Sequence, residues 1–192
     1  MKIAILGGSF NPPHLGHLIL AEEVLASGLY DRILLIPTFI PPHKRAENDP
    51  GAAMRLSMLE AAVEDWPDIT IDSCEIDRKG VSYTIDTLSE IARRYPLEGK
   101  IGLVMGDDLA PDFLKVWKEP ERILQSADIL VAHRTRAEEL QLNYPHRYLD
   151  NLLIPISSSL VRKRIAEGGA WRALVPAKVC KIIENHGLYQ LR

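Results

Sequence analysis

Lys2-Ile3-Ala4-Ile5-Leu6-Gly7-Gly8-Ser9-Phe10-Asn11-Pro12-Pro13-His14-Leu15-Gly16-His17 is the stretch that decides how this chain folds. Lys2 to Leu6 is a short apolar run without polar alternation, as a strand buried on both faces requires. Glycines follow at once. A helical pattern then runs from about Leu15 to Ser27, with Leu18, Ala21, Glu22 and Leu25 at helical spacing and Gly28 as a stop. A buried strand that passes through a glycine-rich connection into a helix is the opening unit of a parallel α/β sheet. Ligands bind beyond the carboxyl ends of such strands, so Gly7 to His17 is the first candidate site.

The pattern repeats outward from there. Arg32 to Ile36 reads as a second buried strand, and Ala52 to Asp65 as a helix that ends before Pro67. Ile69 to Cys74 alternates like a strand, and Thr84 to Tyr95 is helical. Ile101 to Met105 is a further buried strand that ends at Gly106-Asp107-Asp108, and Asp128 to Ala132 is the next. The expected fold is therefore α/β, a doubly wound Rossmann-like parallel sheet. Ser158 to Glu167 and Pro176 to His186 are two short helices with no strand between them. They predict a single domain with an α/β sheet core over 1–155 and a small C-terminal helical extension over 156–192.

The composition excludes several classes. The chain has 192 residues, 46% apolar and 26% charged, enough for one core without staples. A net charge of −3 provides no field to recruit nucleic acid or an anionic membrane. Cys74 and Cys180 have no metal-type spacing and read as reduced thiols. No apolar run is long enough to span a bilayer, and the N-terminal stretch is too short for a signal peptide, so the expected location is the cytoplasm. Oligomeric state is not encoded in any of these features.

At the first site, Gly7 and Gly8 permit close approach of a ligand to backbone. The helix that starts near Leu15 turns free N–H groups and the positive end of its dipole toward the loop. His14 and His17, three apart at a helix start, can aim both rings at one point. Two imidazoles at a helix N-terminus suit a phosphate whose charge grows in a transition state. Two better-known phosphate motifs fail. A dinucleotide fingerprint from Gly7 needs glycine at 9 and 12, where the chain has Ser9 and Pro12. A P-loop from Gly8 needs Gly-Lys-Ser/Thr at 13–15, where it has Pro13-His14-Leu15. The bland alternative, a glycine turn with surface histidines, does not account for the placement directly between strand and helix.

The second site is Ile156-Ser157-Ser158-Ser159-Leu160-Val161-Arg162. Helix capping explains one serine. Three, followed by Arg162, Lys163 and Arg164, fit a polyphosphate better. Other candidates carry strong bland readings. Thr84 at a helix start caps, Trp117 after Phe113 and Leu114 at helical spacing packs in a core, and Pro42-His43-Lys44-Arg45 is a solvated loop. Gly106-Asp107-Asp108 ends a strand where an acid can bind ribose hydroxyls, with Asp107 open to a capping role.

Gly8-Ser9-Phe10-Asn11-Pro12-Pro13-His14-Leu15-Gly16-His17 resembles the signature of the H-x-G-H nucleotidyltransferase superfamily, and within it most resembles the nicotinate-nucleotide adenylyltransferases. Ile156 to Arg162 resembles their second signature, I-S-S/T-S/T-x-x-R, and Asn185-His186-Gly187-Leu188-Tyr189 resembles their C-terminal ending, which reads as structural. The resemblance implies transfer of AMP from ATP to nicotinate mononucleotide, giving deamido-NAD and pyrophosphate. It implies catalytic roles for His14, His17 and Lys44. It implies ATP binding by Gly7, Gly8, Ser9, Phe10, His14, His17, Gly106, Asp108, Arg134, Ser157, Ser158 and Arg162, with the Gly-x-Asp pattern selecting Asp108 over Asp107. It implies acceptor binding by Lys44, Thr84 and Trp117, with Lys118 standing where the family commonly has tyrosine. Mg²⁺ would arrive with ATP, since no carboxylate cage is visible. The rivals are the same chemistry on nicotinamide mononucleotide, phosphopantetheine or a sugar or polyol phosphate, a catalytically silent nucleotide sensor on the same fold, and a nucleic-acid-binding protein.

Overall fold

The computed structural model describes residues 1–41 and 48–190. Six strands form one parallel sheet: β1 (Ile3–Gly8), β2 (Arg32–Pro37), β3 (Ile69–Ile71), β4 (Ile101–Gly106), β5 (Ala127–Ala132) and β6 (Arg147–Tyr148). Their order is β3-β2-β1-β4-β5-β6, so the direction of winding reverses between β1 and β4. That reversal opens a crevice at the carboxyl ends of these two strands, where an open α/β sheet takes its ligand. In register, Leu6 faces Leu35 and Val104, while Gly7 and Gly8 face Ile36 and Pro37. The two glycines thus complete the strand, and the turn begins at Ser9.

Among the described residues six helices lie between strands, α1 (Leu15–Ala26), α2 (Ala52–Val63), α3 (Cys74–Arg78), α4 (Thr84–Arg94), α5 (Phe113–Val116) and α6 (Pro120–Ser126), and two follow β6, α7 (Ser158–Ala166) and α8 (Ala177–Asn185). Period-2 side chains divide the interior. Ala4, Leu6, Ile33, Leu35, Val104 and Leu130 face one layer with α1 and α2, and Val161, Ile165, Val179 and Ile183 of α7 and α8 pack in that same cluster. Ile3, Ile5, Leu34, Ile36, Leu103, Met105 and Ile129 face the other layer with α4, Phe113 and Ile123.

Two sequence expectations need correction. The strand expected over Ile69 to Cys74 stops at Ile71. The Asp72 carboxylate accepts the Cys74 N–H at 2.9 Å, turning the chain into α3. Trp117 does not lie on a helix. It follows α5 with extended backbone, φ −82° and ψ 143°. The strand β6, over Arg147 and Tyr148, carried no periodic signal, having only two residues. Cys74 and Cys180 are free thiols.

Candidate active site

A cavity of about 410 Å³ lies over the crevice between β1 and β4. Its walls include Gly7, Gly8, Ser9, His14, His17, Thr84, Gly106, Trp117, Arg134, Ser157, Ser158 and Arg162, so residues from both end signatures and the middle of the chain meet at one opening. Asp108 is reached through Arg134, whose Nη1 donates to its carboxylate at 3.0 Å. Lys44 lies outside the described residues, as do Pro42, His43 and Arg45.

The histidine pair is built by the first turn of α1. The His14 N–H donates to Nδ1 of His17 at 3.2 Å. An Nδ1 that accepts is unprotonated, so neutral His17 carries its proton on Nε2 and presents a donor there. The two rings stack at 3.7 Å, and Phe10 closes the far side of His17 edge-on at 4.8 Å. Gly16 makes room for the stack, since a Cβ there would stand 3.1 Å from His14 Nδ1. Neither ring nitrogen of buried His14 has a hydrogen-bond partner among the described residues. Burial, with the Arg134 charge, pushes His14 down to about 3. Burial, with His14 and Arg134, holds His17 well below the usual imidazole range. Both rings are therefore neutral near pH 7, and His14 holds unpaired polar atoms where a ligand with phosphate oxygens can meet them. Phe10 itself is 1% exposed, so its ring is a buttress for His17.

The second signature grips the first. Ser157 caps α7 by accepting the Leu160 N–H at 3.1 Å. Ser158 donates to the Pro12 carbonyl at 2.8 Å, and Arg162 donates to the Asn11 carbonyl at 2.8 Å. The Asn11 side chain in turn accepts the Tyr189 hydroxyl at 2.7 Å. The backbone of the first loop is thus held by side chains that follow it by well over a hundred residues.

The two aspartates divide their work. Asp107 is fully buried. Burial raises its carboxyl, but the Thr135 hydroxyl and the N–H groups of Arg134, Thr135 and Arg136 outweigh this and hold it below the usual carboxylate range. It fastens the turn after β5 rather than capping a helix of its own segment. Asp108 is exposed and, among the described residues, paired only with Arg134. A Cβ at Gly106 would fall 2.3 Å from its carboxylate, so this approach needs glycine.

At the other end of the cavity, Thr84 opens α4 and Trp117 leans on Phe113 at 5.3 Å. Lys118 lies 4.5 Å above the Tyr83 ring and 3.7 Å from Asp86.

Sequence reasoning missed three residues of this neighbourhood. Arg55, 1% exposed, donates to Ser9 O at 2.8 Å, to Phe39 O at 3.2 Å and to Asp49 at 3.0 Å. Asn151 pairs reciprocally with the backbone of His133 at the end of β5. Glu75 lines the cavity, with its Oε2 buried and without a hydrogen-bond partner among the described residues. An arginine on α2 and a glutamate on α3 offered no signal beyond their polarity. Among the described residues no group of three or more His, Cys, Asp and Glu could hold a metal ion, and no helix is long and apolar enough to cross a membrane.

Comparison with known proteins extends over the same segments. The cytidylyltransferase-like family model matches residues 5–164. A relative from Borrelia garinii subsp. bavariensis, named a probable nicotinate-nucleotide adenylyltransferase, is 43% identical over 98% of this chain and 95% of its own. One of the same name from Treponema pallidum (strain Nichols) is 36% identical over 99% of this chain and 100% of its own. Among solved structures, the Plasmodium falciparum nicotinic acid mononucleotide adenylyltransferase complexed with NaAD superposes with a TM-score of 0.79 at 18% identity, covering 98% of this chain and 97% of that one. That likeness concerns the fold.

Proposed function

The chain belongs to the cytidylyltransferase-like family, and within it to the nicotinate-nucleotide adenylyltransferases, and from that premise we propose that it transfers AMP from ATP to nicotinate mononucleotide, releasing pyrophosphate and forming deamido-NAD, a step of NAD biosynthesis. The observation that carries this reading is the stacked pair His14–His17 at the N-terminus of α1, which lines the cavity, with His17 Nδ1 accepting from the His14 N–H so that Nε2 carries the proton.

The chemistry needs no protein nucleophile. A 5′-phosphate oxygen of the mononucleotide attacks the α-phosphorus of ATP, and the bond to the β-phosphate oxygen breaks in line. Pyrophosphate leaves with the electron pair. The protein's part is positioning and charge stabilisation. His14 and His17 receive the α-phosphate, together with the free N–H groups of the first turn of α1. Neutral imidazoles suit this role, because they can donate without competing for a proton with the attacking phosphate. Arg162, Ser158 and Lys44 hold the departing phosphates. Asp108 and Arg134, at the mouth on the β4–β5 side, take the adenosine end.

Thr84 and Trp117 take the acceptor's base. Mg²⁺ enters with ATP as part of the substrate. Asp107 is saturated by hydrogen bonds, and Asp108 stands without a second carboxylate beside it in any metal-binding group among the described residues, so phosphate oxygens and water supply its coordination. The reaction takes place in the cytoplasm.

The test is an acceptor panel with ATP and Mg²⁺, reading pyrophosphate release. Nicotinate mononucleotide should give the highest turnover. Release with phosphopantetheine or a polyol phosphate alone would replace the acceptor, and release with none would remove the enzymatic reading.

A further inference from the structure

The first loop does not hold its own shape. Pro12 and Pro13 have no N–H to give to a turn, and Phe10 sits at φ 47°, a left-handed conformation that is costly for an aromatic residue. Its carbonyls are held from elsewhere: that of Ser9 by Arg55 of α2, that of Asn11 by Arg162 of α7, and that of Pro12 by Ser158 of α7. Those three bonds fix main chain. The Asn11 side chain is gripped separately, by the Tyr189 hydroxyl, which donates to Oδ1 at 2.7 Å. Asn11 is 4% and Tyr189 8% exposed, so little water is at hand to replace that hydroxyl.

Tyr189 reaches this place against its backbone preference. At the end of α8 the Gly187 N–H donates to Glu184 O at 3.2 Å and the Leu188 N–H to Ile183 O at 3.0 Å. Gly187 is left-handed at φ 57°, as such a helix end requires, but Tyr189 is left-handed too, at φ 64°, without the freedom of glycine. Packing offsets the strain, since Tyr189 and Phe10 lie in one apolar cluster with Val179 and Ile183 of α8. A phenylalanine would supply that packing equally well. What the hydroxyl adds is the bond to Asn11. Burial pushes the phenol up, so it remains a donor throughout the neutral range.

From Asn11 a displacement travels to the histidines. Pro12 and Pro13 have fixed φ and absorb little of it, and His14 comes next, with extended backbone at φ −143° and ψ 168°. The His14 N–H is the donor that sets the His17 tautomer, at 3.2 Å, near the long end of a hydrogen bond. A small movement of the loop therefore loosens that bond and the aim of both rings. We propose that Tyr189 is a positioning residue for adenylyl transfer, whose hydroxyl acts through Asn11 to seat His14 and His17 against the α-phosphate. The inference rests on the functional reading above, which puts that phosphate at the start of α1. It gives the C-terminal ending, structural by its sequence, a part in the reaction.

The test is Tyr189→Phe, which keeps the ring and removes the bond. Its single-turnover rate with nicotinate mononucleotide should fall on the order of ten-fold, the worth of one buried hydrogen bond, while the Kd for ATP changes by less than about three-fold. In an Asn11→Ala background the same exchange should have little further effect, because its target is gone. Nitrogen-15 spectra of the imidazoles, taken without substrate, should show His17 moving from the Nε2–H form toward a mixture of tautomers. A wild-type rate, a loss of rate no larger than the loss of ATP affinity, losses that multiply in the double variant, or an unmoved His17 spectrum overturns the proposal. Asn11→Ala, which removes the same bond from the loop side, decides it by rate and spectrum should Tyr189→Phe fail to fold. A wild-type protein that transfers AMP to no acceptor would overturn the functional reading and this inference with it, whereas transfer at an unaltered rate in Tyr189→Phe overturns this inference alone.

Discussion

The guanidinium of Arg162 donates from Nη1 to the carbonyl oxygen of Asn11 at 2.8 Å, joining the second signature to the first across 151 positions of sequence. Nη2 lies 3.4 Å from Ser159 Oγ, and the side chain also faces the cavity. Arg162 thus has two tasks: it offers positive charge to the polyphosphate, and it braces the loop in front of His14.

Arg162→Ala should weaken ATP more than nicotinate mononucleotide, because only ATP brings phosphates to the start of α7. Loss of a hydrogen bond to a charged group is worth about 1.5–3 kcal/mol, or roughly ten- to a hundred-fold in Kd. Arg162→Lys should recover part of the affinity by charge but not the brace on Asn11, because an ammonium cannot serve two directions with a planar fork. Calorimetric titration of each ligand into each variant checks this. Equal losses for both ligands would show that bracing is the only task.

His17→Ala should lower turnover far more than it lowers ATP affinity. The ring is stacked on His14, backed by Phe10 and locked as the Nε2–H tautomer, so it is a preorganised donor where charge develops. Removing one such donor costs on the order of 10²–10³ in kcat. Single-turnover rates with saturating ATP measure the loss. A variant that keeps near-wild-type turnover would take His17 out of the chemistry.

The buried neutral histidines also make stability depend on pH. His14 is held at about 3, below its unfolded value of 6.5, by burial and then Arg134. Above pH 6.5 both folded and unfolded states carry it neutral, and it contributes no pH dependence. As pH falls below 6.5 the unfolded chain gains a proton that the folded chain refuses, so stability drops until about pH 3, where the folded state protonates too. By pH 5 the loss from His14 alone is about 2 kcal/mol, and His17 acts in the same direction. His14→Gln should flatten this part of the profile. Urea midpoints from pH 7 to pH 5 test it, and identical slopes for variant and wild type would rule it out.

How much of this was legible in the sequence depends on the range of the interaction. The β1–α1 unit was readable because strand burial, the glycines and the helical period all lie within about one element of one another, and the same is true of Ser157 as the α7 cap. β3 was misjudged because the alternation Ile69 to Cys74 continues past the point where the Asp72 side chain captures the Cys74 N–H, a local competition that periodicity does not register. Trp117 was misplaced because Phe113 and Leu114 suggest a longer helix than the one turn that forms. Phe10 carried a ligand-binding expectation from the motif it sits in, whereas packing puts its ring behind His17. Arg55, Glu75 and the Asn11–Tyr189 contact were invisible, since their partners lie far away in sequence or in main-chain carbonyls that no motif displays.

Arg55 supplies the last prediction. It is an arginine at 1% exposure whose donors meet the Ser9 carbonyl, the Phe39 carbonyl and the Asp49 carboxylate, so it joins the turn after β1 to the segment after β2. Asp49 also accepts the Gly51 N–H at 2.9 Å, which anchors the start of α2 in the same cluster. Arg55→Met fills much of the volume but leaves two carbonyls without donors and Asp49 without its counter-charge, and breaking a buried charged pair typically costs about 3–5 kcal/mol. For a chain of this size that is on the order of 10 °C in Tm. Arg55→Lys should rescue little, since one ammonium cannot reach three acceptors placed around a planar fork. Asp49→Asn should cost less, because the amide oxygen can still accept from Gly51 and Arg55 while only the counter-charge is lost. The order Met, then Lys, then Asn in falling severity should appear in urea midpoints at an unchanged m-value. The freed Ser9 peptide should lower kcat in Arg55→Met below what its folded fraction explains, since Ser9 adjoins the Phe10 that backs His17. An Arg55→Met protein with the wild-type midpoint and turnover would show that this buried arginine holds nothing the site requires.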